Sequence, residues 1–251
     1  MLETGEGQCV NQKVITDSIV TIVTLLLFAV RALADPGTPT RGHDDRRMHE
    51  STAWPWSAIG RINKGGAGYC TGVLIAPRTV LTAAHCLINS RTQQRHAARY
   101  LTFVAGFSRD AYKAVAKVER YAAQPCAPKA SEPATRDNLA CDVAVLHLAT
   151  AITSVKPVEP APTVDDGDAV VLAGYQKDRP YMLSIDDKCR IVTRQNALLW
   201  HTCIALPGAS GAPLLITVDD NWFMVGIHVA NTNRALGIAR RWLMKDLAAV
   251  N

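Results

Sequence analysis

The sequence has no apolar run long enough to cross a bilayer comfortably. Residues Ile19 to Val30 carry no charge but number only twelve, where a span needs about 20. No Cys-x-x-Cys pair occurs among the seven cysteines, which argues against a zinc ribbon or a thioredoxin-like redox pair. Charge of one sign is not concentrated: 27 Lys and Arg against 22 Asp and Glu leave a net +5 at pH 7. So small and scattered a surplus does not argue for nucleic-acid binding. Internal repeats and low-complexity tracts are missing as well. What remains is a core-forming composition, 48% hydrophobic and 20% charged over 251 residues, which is not that of a disordered chain.

The apolar run is followed by Ala32-Leu33-Ala34 and then Asp35-Pro36. Small residues at Ala32 and Ala34 fit signal-peptidase cleavage after Ala34. The stretch before the run carries Lys13 but also Glu3, Glu6 and Asp17, so it is not clearly positive. Residues 1–34 are expected to be an export signal, with a buried hydrophobic helix as the alternative. Residues 35–50 are expected to be an N-terminal segment or short propeptide, and the mature protein to be secreted or periplasmic. Cleavage removes Cys9 and leaves six cysteines, an even number that reads as a disulfide framework in an exported chain. Fifteen connectivities are possible. Similar spacings within Cys70 and Cys86, Cys126 and Cys141, and Cys189 and Cys203 favour sequential pairing, with each loop worth roughly 3 kcal/mol in the chain-entropy model.

Short β-rich runs recur along the chain, among them Trp56 to Ile62, Tyr69 to Ile75, Leu101 to Gly106, Val143 to Leu148, Met182 to Val192 and Phe223 to Ala230. Turn signals such as Lys64-Gly65-Gly66, Ala76-Pro77-Arg78 and Asp165-Asp166-Gly167-Asp168 punctuate them. Many short strands with regular turns predict an all-β sandwich or barrel. A Pro-rich stretch, Val155 to Thr163, reads as a connector between residues 51–155 and 156–251. Arg241 to Val250 has helical spacing of Trp242, Leu243, Leu247 and Val250 and predicts one late helix.

Three separate motifs carry chemistry. Thr82-Ala83-Ala84-His85-Cys86 follows a predicted hairpin, and a Cys70–Cys86 bridge would fix the backbone beside the imidazole. A general base must be held within reach of its proton donor. Asp142 opens the otherwise apolar strand Asp142-Val143-Ala144-Val145-Leu146, where a charge is costly unless paired. In Pro207-Gly208-Ala209-Ser210-Gly211-Ala212-Pro213, the N–H groups of Gly208 and Ser210 can converge on one oxygen. The α/β-hydrolase elbow needs glycine two places after the serine, where Ala212 stands, and a different chain order. Taken singly, each motif also has a structural reading: a structural histidine beside a cysteine, a strand-end aspartate, a tight turn.

Taken together they resemble the trypsin/chymotrypsin-like serine proteases, most closely the secreted bacterial glutamyl-endopeptidase-like branch. The resemblance covers about residues 41–240. It implies two six-stranded antiparallel β-barrels, chymotrypsin-like, with the site in the cleft between them. It also implies His85 as general base, Asp142 as the acid that orients it, Ser210 as nucleophile, and Gly208 with Ser210 as the oxyanion hole. These roles belong to the family's own template. Cys70 and Cys86 match a bridge common to the superfamily. Ala205, His228, Val229 and Ala230 match positions that line the substrate-binding pocket, on and after the strand Val225-Gly226-Ile227-His228. The implied substrate is a protein or peptide, hydrolysed through an acyl-enzyme, with activity falling as acid protonates His85. No cofactor and no metal site are implied, and a monomer is expected. The alternative is an inactive protease-like binding protein.

The departures from the family are specific. Animal trypsin-like enzymes carry Asp just before the nucleophile, paired with an amine freed by zymogen cleavage. This chain has Ala209 there, so that switch is absent, and the Cys189–Cys203 bridge is the candidate for holding the loop. Asp44-Asp45-Arg46-Arg47 reads as a solvated charge cluster, with processing as the alternative. Ile204, six before Ser210, argues against cleavage after Lys or Arg. His228 matches the histidine that reads an acidic side chain, but Ala205 lacks the hydroxyl usual beside it, so a small or apolar preference stays open. Of the other histidines, His43 and His49 are weak metal candidates, His96 sits in a loop, and His147 and His201 read as strand packing. Trp54 and Trp56 are expected to anchor the entering chain.

Overall fold

The structure, a computed structural model, describes residues 44–129, 132–161, 163–233 and 236–242. The expected export signal, His43 and the stretch from residue 243, where most of the late helix was expected, lie outside the described residues.

Six strands close a barrel. They are β2 (Ile59–Lys64), β3 (Tyr69–Ala76), β4 (Thr79–Thr82), β5 (Leu101–Ala105), β6 (Ala114–Ala123) and β7 (Ala144–Leu148). Their order around it is β2-β3-β4-β7-β6-β5. Alternation explains the closure. In β6, Ala116 and Val118 are buried while Val115, Lys117 and Glu119 are exposed, so one side of the strand faces inward. Ile62, Leu74, Leu81, Phe103 and Leu146, all fully buried, fill the interior.

A second sheet contains β1 (Arg47–His49), β8 (Glu159–Pro160), β9 (Ala169–Gln176), β10 (Arg179–Gln195), β11 (Leu198–His201), β12 (Pro213–Val218), β13 (Asn221–Asn231) and β14 (Gly237–Arg241). Its order is β1-β10-β11-β14-β13-β12-β9, with β9 also paired to β10 and β8 lying parallel beside β13. Arg241, expected to start the late helix, instead ends β14 opposite Gly226, because its backbone is used in the sheet. One hydrophobic cluster, including Phe103, Tyr175, Ile185 and Ile227, draws on both halves. A smaller one around Leu172, Ile191, Leu199 and Leu214 belongs to the second sheet. The two halves therefore share a core, and the loops carrying the three motifs meet where they adjoin.

Trp56 sits edge-on against Trp222 of β13, ring centroids 5.1 Å apart. Its anchor is thus a strand of the second sheet.

Candidate active site

His85 and Asp142 are brought together by strand register. β4 pairs with β7 so that Thr82 faces Ala144. His85 lies three residues beyond the first and Asp142 two before the second. After Thr82 the chain makes a short 3-10 turn, Ala84–Leu87. Before Ala144 it runs through a short helix, Arg136–Ala140, whose start is capped by reciprocal bonds between Thr135 and Asn138. The Cys70–Cys86 and Cys126–Cys141 disulfides then fix the neighbours of both residues.

The Asp142 carboxylate is 1% exposed, a costly position met by two bonds from one residue. The His85 N–H donates to Oδ1 at 2.9 Å, and ring Nδ1 lies 2.7 Å from Oδ2. A carboxylate only accepts, so Nδ1 carries the proton and Nε2 is left as the basic nitrogen. About a third of the His85 side chain is exposed, enough to meet a ligand from solvent.

The Ser210 loop is pressed against the first barrel. Gly208 has φ +99° and Gly211 φ +81°, the left-handed region that favours glycine. A Cβ on Gly208 would stand 2.6 Å from Tyr175 O. Thr71, fully buried in β3, binds the loop at two points. Its N–H donates to Ser210 O at 2.9 Å and its hydroxyl to Gly208 O at 2.9 Å. The same hydroxyl accepts from the Tyr175 N–H at 2.9 Å, and Thr71 O accepts from the Thr82 hydroxyl at 2.8 Å. Cys86 Sγ lies 3.7 Å from Ser210 O, so the residue next to His85 touches the residue-210 backbone. Ala209 N–H turns back to Leu206 O. The Gly208 and Ser210 N–H groups have no acceptor among the described residues, and no hydrogen bond there joins the His85 ring to the Ser210 hydroxyl.

The expected pocket residues divide into two groups. Val229 and Ala230 line a cavity of about 340 Å³ together with His85, Asp142, Leu139 and Ile88. The register of β13 against β14 shifts between His228 and Ala230; such a bulge interrupts strict alternation and turns neighbouring side chains to one side. His228, 3% exposed, has Nδ1 3.1 Å from Nε2 of the fully buried His201. His201 therefore touches a candidate pocket residue as well as packing in a strand. Ala205 is 1% exposed, and its carbonyl accepts from the Asn231 side chain at 2.9 Å. Among the described residues no group of three or more His, Cys, Asp or Glu could hold a metal ion.

A family model for the trypsin-like peptidase domain matches residues 70–227, the interval from Cys70 to Ile227 that contains all three motifs. The chain belongs to the trypsin-like peptidase domain family. Curated relatives of this peptidase domain include glutamyl endopeptidase of Bacillus licheniformis, 46% identical over 50 residues, which are 20% of this chain and 16% of that protein. Chymotrypsin-like elastase family member 3B of Homo sapiens is 39% identical over 77 residues, 28% of each protein. The chain thus aligns with under a third of the length of either relative. A solved structure of a Glu endopeptidase in complex with MPD superposes with a TM-score of 0.69 at 22% identity, covering 83% of this chain and 95% of that one. That likeness shows the fold.

Within this trypsin-like domain the loop before Ser210 is held by more than the Cys189–Cys203 bridge. That bridge is present and lies at the upstream end, where the Ile204 N–H donates to Asp186 at 2.7 Å. Nearer Gly208, Leu206 N–H donates to Gln176 Oε1 at 2.8 Å and Pro207 O accepts from the Lys177 N–H at 2.8 Å. Thr71 and Gln176 carry no motif, and only tertiary pairing reveals them. Tyr69, whose ring edge would meet a Cβ on Gly208, has its phenol pKa raised by burial and stays neutral.

Proposed function

We propose that the protein is a secreted serine endopeptidase acting through Ser210, His85 and Asp142. The observation that carries this reading is the buried Asp142 carboxylate holding His85 Nδ1 at 2.7 Å, beside a loop whose Gly208 and Ser210 N–H groups have no acceptor among the described residues. Ser210 Oγ attacks a peptide carbonyl while His85 Nε2 takes its proton. The Asp142 carboxylate stabilises the imidazolium that results. Gly208 and Ser210 N–H groups receive the charge developing on the carbonyl oxygen. His85 returns the proton to the leaving amine, then activates water to hydrolyse the acyl-enzyme. Among the described residues no hydrogen bond joins the His85 ring to Ser210, and such catalytic hydrogen bonds often tighten only with substrate bound.

Three disulfides favour an oxidising compartment and hence export. Among the described residues no helix is long and apolar enough to cross a membrane. Pairing of β9 with both β10 and β12 supports reading the second sheet as the second barrel of the fold.

For the residue preceding the scissile bond, an acidic side chain is the reading favoured by the His201–His228 pair. Imidazoles that meet edge-on, with ring nitrogens 3.1 Å apart, can share a proton and so receive a carboxylate. Fluorophosphonate labelling tests the nucleophile: one adduct at Ser210 is expected, and a folded protein that resists the probe would point to a binding module instead. Matched peptides with Glu, Gln, Ala and Leu before the scissile bond test specificity. Equal rates for Glu and Gln would reject the acidic reading.

A further inference from the structure

Arg46 lies outside every catalytic motif, yet it is 7% exposed. It precedes β1, which pairs Arg47, Met48 and His49 with Ile185, Ser184 and Leu183 of β10. Of the charge run expected to be solvated, Arg46 alone is buried, while Asp44, Asp45 and Arg47 stay exposed. Arg46 Nη2 bonds Asp44 at 2.7 Å and Asp178 at 2.8 Å. Its Nη1 donates to Gln176 Oε1 at 2.7 Å. The Arg46 carbonyl accepts from Arg179 at 2.6 Å.

Gln176 is fully buried, and its carboxamide could be turned either way about its last bond. A guanidinium has donors and no acceptor. Arg46 therefore obliges the oxygen of Gln176 to face it. In that orientation Oε1 also accepts the Leu206 N–H at 2.8 Å, and Nε2 faces Ile204 O at 3.5 Å. The reverse orientation would set an NH₂ group against two donors. Leu206 in turn holds the Ala209 N–H through its carbonyl at 3.0 Å, on the turn that presents Gly208 and Ser210.

We infer that Arg46 is a positioning residue for the oxyanion loop. From the N-terminal segment it orients Gln176, which anchors Leu206 and with it the two N–H donors. The inference rests on the serine-peptidase reading above. It supplies, from a side chain already in the segment, a support for the loop where Ala209 offers no carboxylate. The fold then needs no freed amine, but it does need Arg46 retained. Processing anywhere before Asp44 is compatible with activity, whereas processing after Arg46 is not.

The test compares the full chain with Arg46→Met, Arg46→Lys and Gln176→Leu. Each is measured for kcat and KM on a peptide substrate and for affinity toward a peptide boronate, whose adduct places an oxygen in the oxyanion hole. Arg46→Met is expected to lower kcat by roughly tenfold to a hundredfold, the scale of a misplaced catalytic group. KM should stay within threefold and boronate affinity should fall with kcat. Millimolar methylguanidinium should restore part of the loss in Arg46→Met and none in Gln176→Leu. Arg46→Lys keeps the charge and a donor, and is expected to fall between Arg46→Met and the parent. A folded Arg46→Met with kcat within threefold of the parent overturns the inference. If Arg46→Met does not fold, Gln176→Leu decides: it leaves Arg46 bonded to both aspartates, a loss of kcat at constant KM is expected, and unchanged kcat overturns the inference. A parent protein that takes no fluorophosphonate would instead sink the peptidase reading itself.

Discussion

Gly211→Ala probes how tightly the Ser210 loop is pressed onto the first barrel. Two costs are added by one methyl group. The backbone at Gly211 has φ +81°, which costs an L-residue about 1–2 kcal/mol. The new Cβ would stand 2.2 Å from Thr71 O, 2.3 Å from Thr82 Oγ1 and 3.0 Å from Ala83 N. Two of those atoms are backbone and the third is on a buried, hydrogen-bonded threonine. Ordinary carbon contacts need a separation of about 3.5 Å, so the loop must retreat by about 1 Å. Overpacking of this kind costs about 1–3 kcal/mol, giving a total destabilisation of about 2–5 kcal/mol. The retreat also carries Ser210 away from His85, and a displacement of about 1 Å can cost a hundredfold in rate. Gly167→Ala is the control. It has φ +93° and nothing within 4 Å of a Cβ, so it should lose only the conformational cost and keep full kcat. Urea unfolding and steady-state hydrolysis measure both effects. If Gly211→Ala loses no more stability than Gly167→Ala and keeps kcat within threefold, the close docking of loop and barrel is refuted.

Three further outcomes are expected. Asp142→Asn should lower kcat by about 10⁴, the value known for this change in the family's template, because one amide oxygen cannot accept both His85 bonds and the ring loses its tautomer; a fall under tenfold would remove Asp142 from the mechanism. Thr71→Val keeps nearly the same volume but leaves Gly208 O and the Tyr175 N–H without their shared hydroxyl, so urea unfolding should register a loss of about 2–4 kcal/mol, and a loss under 1 would contradict it. Burial holds the His49, His96 and His147 imidazoles below the ordinary histidine value. Such groups favour the fold when neutral, so stability is full above the unfolded value of about 6.5 and is lost as pH falls below it toward their folded values; a melting temperature flat from pH 8 to 5 would reject this. Asp44 acts lower down: its hydrogen bond from Arg46 holds it at about 2, so its contribution goes only below the ordinary aspartate range.

The parts of the site legible in the sequence are those where chemistry restricts the residue type. A histidine beside a cysteine, a carboxylate opening an apolar strand, and a serine between glycines each stand out because few other residues could do the tasks proposed for them. Supports are harder to read. Thr71 is an ordinary β-strand threonine until the fold sets it beside Gly208, 137 residues away. Arg46 sits in a run of four charges, and such runs are usually solvated; its burial is decided by Gln176 and Asp178, about 130 residues on. His201 reads as packing because its partner His228 lies on another strand. The strand β1 was invisible for the same reason, since Arg47-Met48-His49 has no alternation of its own and acquires a partner only when β10 is built.

That asymmetry bears on how a loop beside Ala209 stays in place. A buried carboxylate paired with an amine concentrates the support in one strong contact, but both charges must first leave water, at several kcal/mol each. In this chain the support is spread over mostly neutral hydrogen bonds: Thr71 to Gly208 and Ser210, Gln176 to Leu206, and Lys177 to Pro207. At about 0.5–1.5 kcal/mol each, four such bonds give a few kcal/mol with a far smaller desolvation penalty. Arg46 adds a charge to this set, yet its own pairing partners sit at the partly exposed edge, where Asp44 and Asp178 are 44% and 37% exposed, so the penalty there falls mainly on one ion. The arrangement has no single contact whose formation switches the loop on. A chain built this way is expected to fold directly into a competent site, with no freed amine required.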